Sequence, residues 1–336
     1  GGSAVNRYRF PSAPFGHSPD YGVGPDMQED GAERLYKVRI RQRVVNFGAS
    51  VVIQSPGSLI DVWALGSKDE NDVQGYVGTP VNINPITPGF RLPIGAAGAQ
   101  FPVPGTYYLA VDSGRDEFTG RSLAGSYRLR HWVNDVRKPK VRVLTTRVAA
   151  GRPTIAIQVS DAGAGPDPYS LAYNYGRVLL GAAAYDPASG IALFPVPAGA
   201  PRLAAGRPRV FFRASDYQEA KNANSYNKEL TPNTRFHQPR LRVVRGATIT
   251  WLTPAARGCV PRSARLLVVA SATRKLGAVR FFDGKRQLRV VKRNVAGLYG
   301  YTWRTRGAKR GIHRLRAVVR AGGQRAEATR IVRVCR

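Results

Sequence analysis

The sequence predicts an all-β protein: three β-sandwich domains in series behind an extended N-terminal arm. Three observations carry that prediction. Apolar and polar residues alternate with period two through many short runs, as half-buried strands do. The 336 residues include 36 Gly and 24 Pro, about 18% of the chain against a usual ~12%, and these punctuate the runs too densely for long helices. The length corresponds to two or three domains of ordinary size. Other classes are excluded as directly. Hydrophobic residues make up 43% and aromatics 9%, enough to build cores rather than a disordered polymer. No G-X-Y period exists, so the chain is not collagenous. No apolar run approaches ~18 residues, so no transmembrane helix is expected.

Residues 1–30 read as the arm. Pro11, Pro14, Pro19 and Pro25 forbid a helix, and Tyr8, Phe10, Phe15 and Tyr21 are spaced between them. These rings need a surface, on their own domain or on a neighbouring copy, and residues 5–10 are expected to add to a sheet edge or lie in a groove. Residues 31–135 read as a first sandwich. In Leu35-Tyr36-Lys37-Val38-Arg39-Ile40-Arg41 the residues Tyr36, Val38 and Ile40 share one face. Runs at 51–53, 59–65, 105–111 and 125–130 follow, with an acidic loop at 68–72. Residues 136–239 start afresh after a Pro-containing connector, with strands expected at 138–144, 154–159, 177–185, 191–195 and 210–214. Residues 216–227 are the best helical candidate, or else a polar loop. In residues 240–336, strands are expected at 241–244, 248–252, 265–270, 279–282, 288–291, 299–303, 313–320 and 329–334, and Asp283-Gly284 signals a hairpin turn. Eight short strands in this span form an immunoglobulin-like pattern.

The formal net charge is +31, and it is uneven. Residues 240–336 hold 25 Lys/Arg against only Asp283 and Glu327, a net of +23, whereas residues 1–239 carry +8. Such asymmetry points to an anionic partner, the bland alternative being general use of Arg as the polar residue. In the run 314–320, Arg314, Arg316 and Arg320 share a face, with Leu315, Ala317 and Val319 on the other. Arg240/Arg242 and Arg304/Arg306 repeat the two-residue spacing. An Arg-studded sheet face attracts polyanions such as nucleic acid, teichoic acid or acidic polysaccharide. No nucleic-acid-binding motif accompanies it, so sequence-specific recognition of nucleic acid is not expected. Copies of the chain itself are the other class of partner, meeting where Asp69, Glu70 and Asp72 face Arg-rich strands.

Cys259 and Cys335 are the only cysteines, and they bracket the last domain. That placement reads as a disulfide joining its first and last strands, and hence as an extracellular or cell-surface protein. There is no C-x-x-C, and His17, His131, His237 and His313 are scattered, so no structural zinc site is expected. The chain opens on Gly1-Gly2-Ser3, which suggests a processed or excised product.

Residues 33–40 (ERLYKVRI), 59–63, 104–111 (PGTYYLAV) and 125–129 (GSYRL) resemble a bacterial pre-peptidase C-terminal domain, a jelly-roll sandwich of secreted proteases. Residues 107–132, 161–171 (DAGAGPDPYSL) and 215–222 (SDYQEAKN) resemble the segment that follows the catalytic domain of actinobacterial subtilisin-like proteases. Residues 279–284 (VRFFDG), 296–303 (AGLYGYTW) and 311–318 (GIHRLRAV) are similar to bacterial immunoglobulin-like domains. The resemblance implies the non-catalytic C-terminal region of a secreted subtilase-family protease.

The catalytic motifs of that family are then the test. Asp112-Ser113-Gly114 matches D-[ST]-G, but no His is followed by Gly-Thr, and Gly105-Thr106 is followed by Tyr107 rather than Ser. Without a general base no Ser hydroxyl is activated, so no catalytic residue is assigned. Two loops have the hard oxygen ligands that suit calcium: one with Asp69 and Asp72, one with Asp161 and Asp167 spaced by Gly163 and Gly165. Neither has EF-hand spacing, and turn-forming acids are the alternative. Trp63, Trp132, Trp251 and Trp303 read as core or junction residues, with sugar stacking as the alternative; Tyr169, Tyr173, Tyr175 and Tyr185 read as strand residues or an exposed binding face. The expectation is a non-catalytic secreted protein that binds a cell-surface or polyanionic partner. Its alternative is a structural subunit of an extracellular filament or surface layer, assembled through the arm.

Overall fold

The structure is a computed structural model that describes residues 34–55, 57–58, 60–65, 73–76, 78–81, 92–94, 97–100, 102–113, 119–216, 233–260, 262–292 and 294–335. The arm residues Tyr8, Phe10, Phe15 and Tyr21, the acidic loop with Asp69, Glu70 and Asp72, and residues 217–227 of the expected helix lie outside them. Among the described residues the regular structure is strand, apart from one 3-10 turn at Pro168–Ser170. No helix there is long and apolar enough to cross a membrane. The protein is all-β, built as three sandwiches.

In the first sandwich one sheet runs Arg34–Ile40, Gly105–Ser113, Ile60–Leu65, Val73–Tyr76 in spatial order, and the facing sheet runs Ala97–Gln100, Asn46–Gln54, Tyr127–Val133. Strand alternation sets the core. Val38 and Ile40 turn inward with Phe47, Val51, Val62 and Leu109, while Lys37 and Arg39 face solvent. Tyr36 comes in from the same face and its hydroxyl meets that of Tyr127 at 2.9 Å.

The second sandwich pairs a sheet of Lys140–Val143, Thr154–Ser160, Ile191–Pro195 and Ala184–Asp186 with one of Val178–Gly181, Ala172–Tyr175, Phe211–Ser215 and Thr234–His237. Its centre is aromatic: Tyr173 stacks on Phe212 at 5.1 Å and on Tyr175 at 5.4 Å, and meets Phe194 at 5.8 Å. Tyr173, Tyr175 and Tyr185 are therefore core residues and not an exposed binding face. Two expected strands fall differently. The single strand expected at 177–185 is two strands in opposite sheets. Ala182 N donates to Leu171 O on one side and Ala183 N to Leu193 O on the other, so the chain crosses the sandwich between adjacent small residues. The strand expected at 241–244 belongs to the second sandwich: Arg242–Val244 pairs in parallel with Arg147–Ala149, and Leu241 and Val243 are buried in the aromatic core.

The third sandwich packs Ala247–Thr253, Ser263–Ala272 and Leu298–Arg304 against a five-stranded sheet ordered Cys259–Val260, Gln324–Val334, Gly311–Ala321, Val279–Asp283, Arg286–Val291. Its core holds Trp251, Leu266, Val268, Phe281, Tyr299, Trp303, Leu315 and Val319. Trp132, Trp251 and Trp303 are all at most 5% exposed, so they pack rather than present rings for sugar stacking; the side chain of Trp63 lies outside the described residues. Cys259 and Cys335 form a disulfide with Cα atoms 5.7 Å apart, within the usual span. It ties the short strand Cys259–Val260 to the end of its parallel neighbour Gln324–Val334.

The junctions between sandwiches differ in kind. Between the first and second, Asp135 is a polar knot. Its main-chain N and O exchange hydrogen bonds with the Asn46 side chain at 2.8 and 2.6 Å, and its carboxylate accepts from Ala164 N at 2.7 Å. Asn233 Nδ2 also donates to Asp135 O. A side chain at Gly163 would collide with that carboxylate, which is why the loop is bare there. Between the second and third the junction is apolar. Ala156, Ala184, Ile191 and Leu193 on the outer side of one sheet bury Leu252, Leu267 and Val269 on the outer side of another. Ala149 N donates to Ser271 Oγ at 2.8 Å, and Thr154 Oγ1 to Ala296 O, at its margins.

Candidate functional site

One group of basic residues in the third sandwich shares a surface, the outer face of the five-stranded sheet. Strand Gly311–Ala321 points Leu315, Ala317 and Val319 into the core, which turns Arg314, Arg316 and Arg320 outward. The antiparallel register then sets neighbours beside them. Arg325 stands opposite Arg320, Ile331 opposite Arg314 and Arg333 opposite Ile312 on one side. Phe282 stands opposite Arg316 and Arg280 opposite Val318 on the other. Among the described residues, six arginines (280, 314, 316, 320, 325 and 333) thus share a face with a single carboxylate, Glu327. Glu327 is taken up by Arg325 at 2.5 Å and Arg316 at 3.7 Å. The Arg316 guanidinium also lies 4.5 Å over the Phe282 ring. Apolar side chains stand among the cations: Ile312 is 78% and Ile331 48% exposed.

Arg304 and Arg306 do not join this group. Arg304 ends a strand of the opposite sheet, and Arg306 lies in the turn after it. Arg240 and Arg242 belong to the second sandwich, where Arg240 bridges Arg209. Sequence reasoning missed Arg280, Arg325 and Arg333. The available signal was the same period-two spacing in 279–283 and 325–333. Arg330 breaks that spacing: it points inward and donates to Trp251 O at 2.7 Å, and burial followed by the nearby Arg142 charge lowers its pKa.

Of the acids expected for calcium, Asp161 and Asp167 bond within their own loops. Asp161 Oδ1 accepts from Gly163 N at 2.7 Å and Gly165 N at 3.2 Å. Burial first, then the Asp135 charge, raises its pKa. Asp167 caps the 3-10 turn by accepting from Tyr169 N at 2.9 Å. Among the described residues no three His, Cys, Asp or Glu side chains converge to hold a metal ion; Asp69 and Asp72 are outside them.

His313 and Asp283 form a contact that superficially looks catalytic. Nδ1 lies 2.7 Å from Asp283 Oδ2, but Nε2 lies 2.7 Å from the Lys309 carbonyl rather than from a hydroxyl. Both partners are acceptors, so both ring nitrogens donate and the geometry holds an imidazolium. Burial pulls the His313 pKa down, but the bonds to Lys309 O and Asp283 and the Asp283 charge outweigh it, and the net shift is upward. A raised histidine pKa gives stability that is complete below the unfolded value near ~6.5 and fades as pH climbs through the folded value. His313→Gln is therefore expected to cost the third sandwich about 2 kcal/mol at mildly acidic pH and much less in alkali. Urea midpoints of the two proteins at acidic and alkaline pH check this; an equal gap at both would show that the charge plays no part.

No protein-family model and no curated protein matches the chain. Solved structures align as β-sandwiches at low similarity. The BSP domain of a biofilm associated protein aligns with a TM-score of 0.33 and 8% identity, over 90% of this chain and 63% of that one. The fibronectin(III)-like modules of Clostridium thermocellum CbhA align at 0.22 and 16%, over 58% and 93%. The endo-β-1,4-mannanase of Thermotoga petrophila aligns at 0.26 and 8%, over 35% of this chain, which spans only 28% of that enzyme.

Proposed function

We propose that the chain is a non-catalytic, extracellular binding protein whose third sandwich holds an anionic polymer at a cell surface, in the manner of an accessory region of a subtilisin-like protein. The observation that carries this reading is the outer sheet face with six arginines against one carboxylate. A flat strand face repeats its side chains every second residue, so its cations form rows that follow an extended polymer rather than a point that grips one ion. The disulfide and the apolar seat on the second sandwich support the reading by fixing the face rigidly, and the disulfide fits an oxidising compartment. The test is the affinity of the full chain for long polygalacturonate and long polyphosphate across a salt series. Replacing Arg280, Arg314 and Arg320 with Ser, all exposed on this face, is expected to flatten the logarithmic salt dependence by on the order of two units. Salt dependence unchanged by the triple substitution, or no binding of either polymer, would sink the proposal.

A further inference from the structure

The same sandwich carries a second basic feature on its flank. Arg286–Val291 is the outermost strand of one sheet and Leu298–Arg304 of the other, and the two free edges frame a groove of about 670 Å³. Gly300, Tyr301 and Thr302 line it from one strand, and Leu288, Val290 and Val291 from the other. Among the described residues its ionic lining is cationic, Arg289 and Lys292. Arg265, on the adjoining strand and outside the lining, places Nη1 3.5 Å from Thr302 Oγ1. Gly300 leaves room for the Arg265 guanidinium and the Leu267 side chain, which would both have to shift for a larger residue. Burial raises the Tyr301 pKa, and the charges of Arg289 and Arg286 act against that shift.

We propose that this groove binds a short stretch of an acidic polysaccharide, with a sugar ring against Tyr301 and its carboxylates on Arg289 and Lys292. The assignment rests on the polyanion reading of this sandwich and names the class of polymer. Charge complementarity favours an anion, because among the described residues no carboxylate lines the groove. The apolar lining and one ring suit a chain whose units have both a C–H face and an acidic group. Single-stranded nucleic acid takes successive aromatic platforms for successive bases, and this groove has one. Among the described residues neither Arg286–Val291 nor residues 299–304 pair with a further strand, and such edges offer main-chain donors and acceptors to hydroxyl groups. Six residues of edge extend roughly 20 Å, long enough for an oligosaccharide.

The experiment measures binding of the full chain to a short oligogalacturonate, a short polyphosphate and a single-stranded oligonucleotide. Arg289→Ser combined with Lys292→Ser is expected to weaken the oligogalacturonate by about tenfold or more, and Tyr301→Leu by about fivefold, on the scale of one ring contact. Tyr301→Leu leaves polyphosphate unchanged, and the Arg280/Arg314/Arg320 triple substitution shifts the oligogalacturonate by less than about threefold. Tyr301 packs 5.8 Å from Phe281, so the exposed Arg289 and Lys292 carry the test if the Tyr301→Leu protein fails to fold. If the groove variants bind the oligomer normally while the long polymer still depends on the face, the groove assignment falls and the polyanion reading stands. If neither the oligomer nor the long polymers bind, both fall. Tighter binding of the oligonucleotide, lost in Tyr301→Leu, overturns the saccharide in favour of nucleic acid.

Discussion

Reduction and alkylation of Cys259 and Cys335 is expected to lower the stability of the third sandwich by about 4 kcal/mol. The cross-link spans 76 residues, and confining a loop of that length in the unfolded chain accounts for a figure of this size in the chain-entropy treatment. Its position adds a structural reason. Cys259–Val260 is a two-residue strand joined in parallel to Gln324–Val334, with Cys335 N donating to Val260 O at 3.0 Å. So short a ladder does not hold itself, and its release uncovers Val260 and Val334, both part of the core. Calorimetry of intact and alkylated protein should show the third-sandwich transition falling by roughly 15 °C or more. The first sandwich, which shares no strand with it, should be unmoved. An equal fall in both would show that the effect is not the loop constraint.

Leu267→Asp is expected to cost about 3–5 kcal/mol, the scale of an uncompensated buried charge, and to part the second and third sandwiches. Leu267 is 2% exposed, yet it does not belong to the core of its own sandwich. Leu266 and Val268 point into that core, while Leu267 and Val269 point out against Ile191 and Leu193. The substitution therefore strikes the joint and leaves both cores filled. Two separate calorimetric transitions and new proteolytic cutting near residues 245–246 are the expected signs. A single joint transition like that of the parent protein would mean that the hydrogen bonds from Ala149 N to Ser271 Oγ and from Thr154 Oγ1 to Ala296 O, and not the apolar contact, couple the pair. Leu267→Ala is the milder control, at about 2–3 kcal/mol.

Period two made the all-β architecture readable. Lys37 and Arg39 between Val38 and Ile40, or Arg314 and Arg316 around Leu315, assign a strand and its buried side without any tertiary information. What was not readable depends on contacts distant in sequence. The parallel pairing of Arg147–Ala149 with Arg242–Val244 joins segments on either side of an entire sandwich, and nothing local marks it. The break within 177–185 rests on Gly181, Ala182 and Ala183, which look like ordinary strand residues until their bonds go to opposite sheets. Asp135 carries no motif, because its role depends on Asn46 and Ala164 arriving from elsewhere. The apolar junction did leave a trace. Leu266-Leu267-Val268-Val269-Ala270 does not alternate, and an uninterrupted run is what a strand covered on both faces looks like. At the site, the shared parity of Arg314, Arg316 and Arg320 was legible, whereas the grouping of Arg280, Arg325 and Arg333 beside them needed the register.

The joint between the second and third sandwiches also sets a schedule for the nascent chain. Ile191 and Leu193 leave the ribosome long before Leu252, Leu267 and Val269, and the sheet that covers them is not complete until Arg304 has been made. At an ordinary synthesis rate that interval is roughly ten seconds. The second sandwich cannot close early, because its own parallel ladder waits for Arg242–Val244. Throughout that time a greasy sheet face is open to whatever it meets, including the same face on a neighbouring nascent chain. The surface that makes the finished pair rigid is thus where this protein is most exposed to misassembly during synthesis.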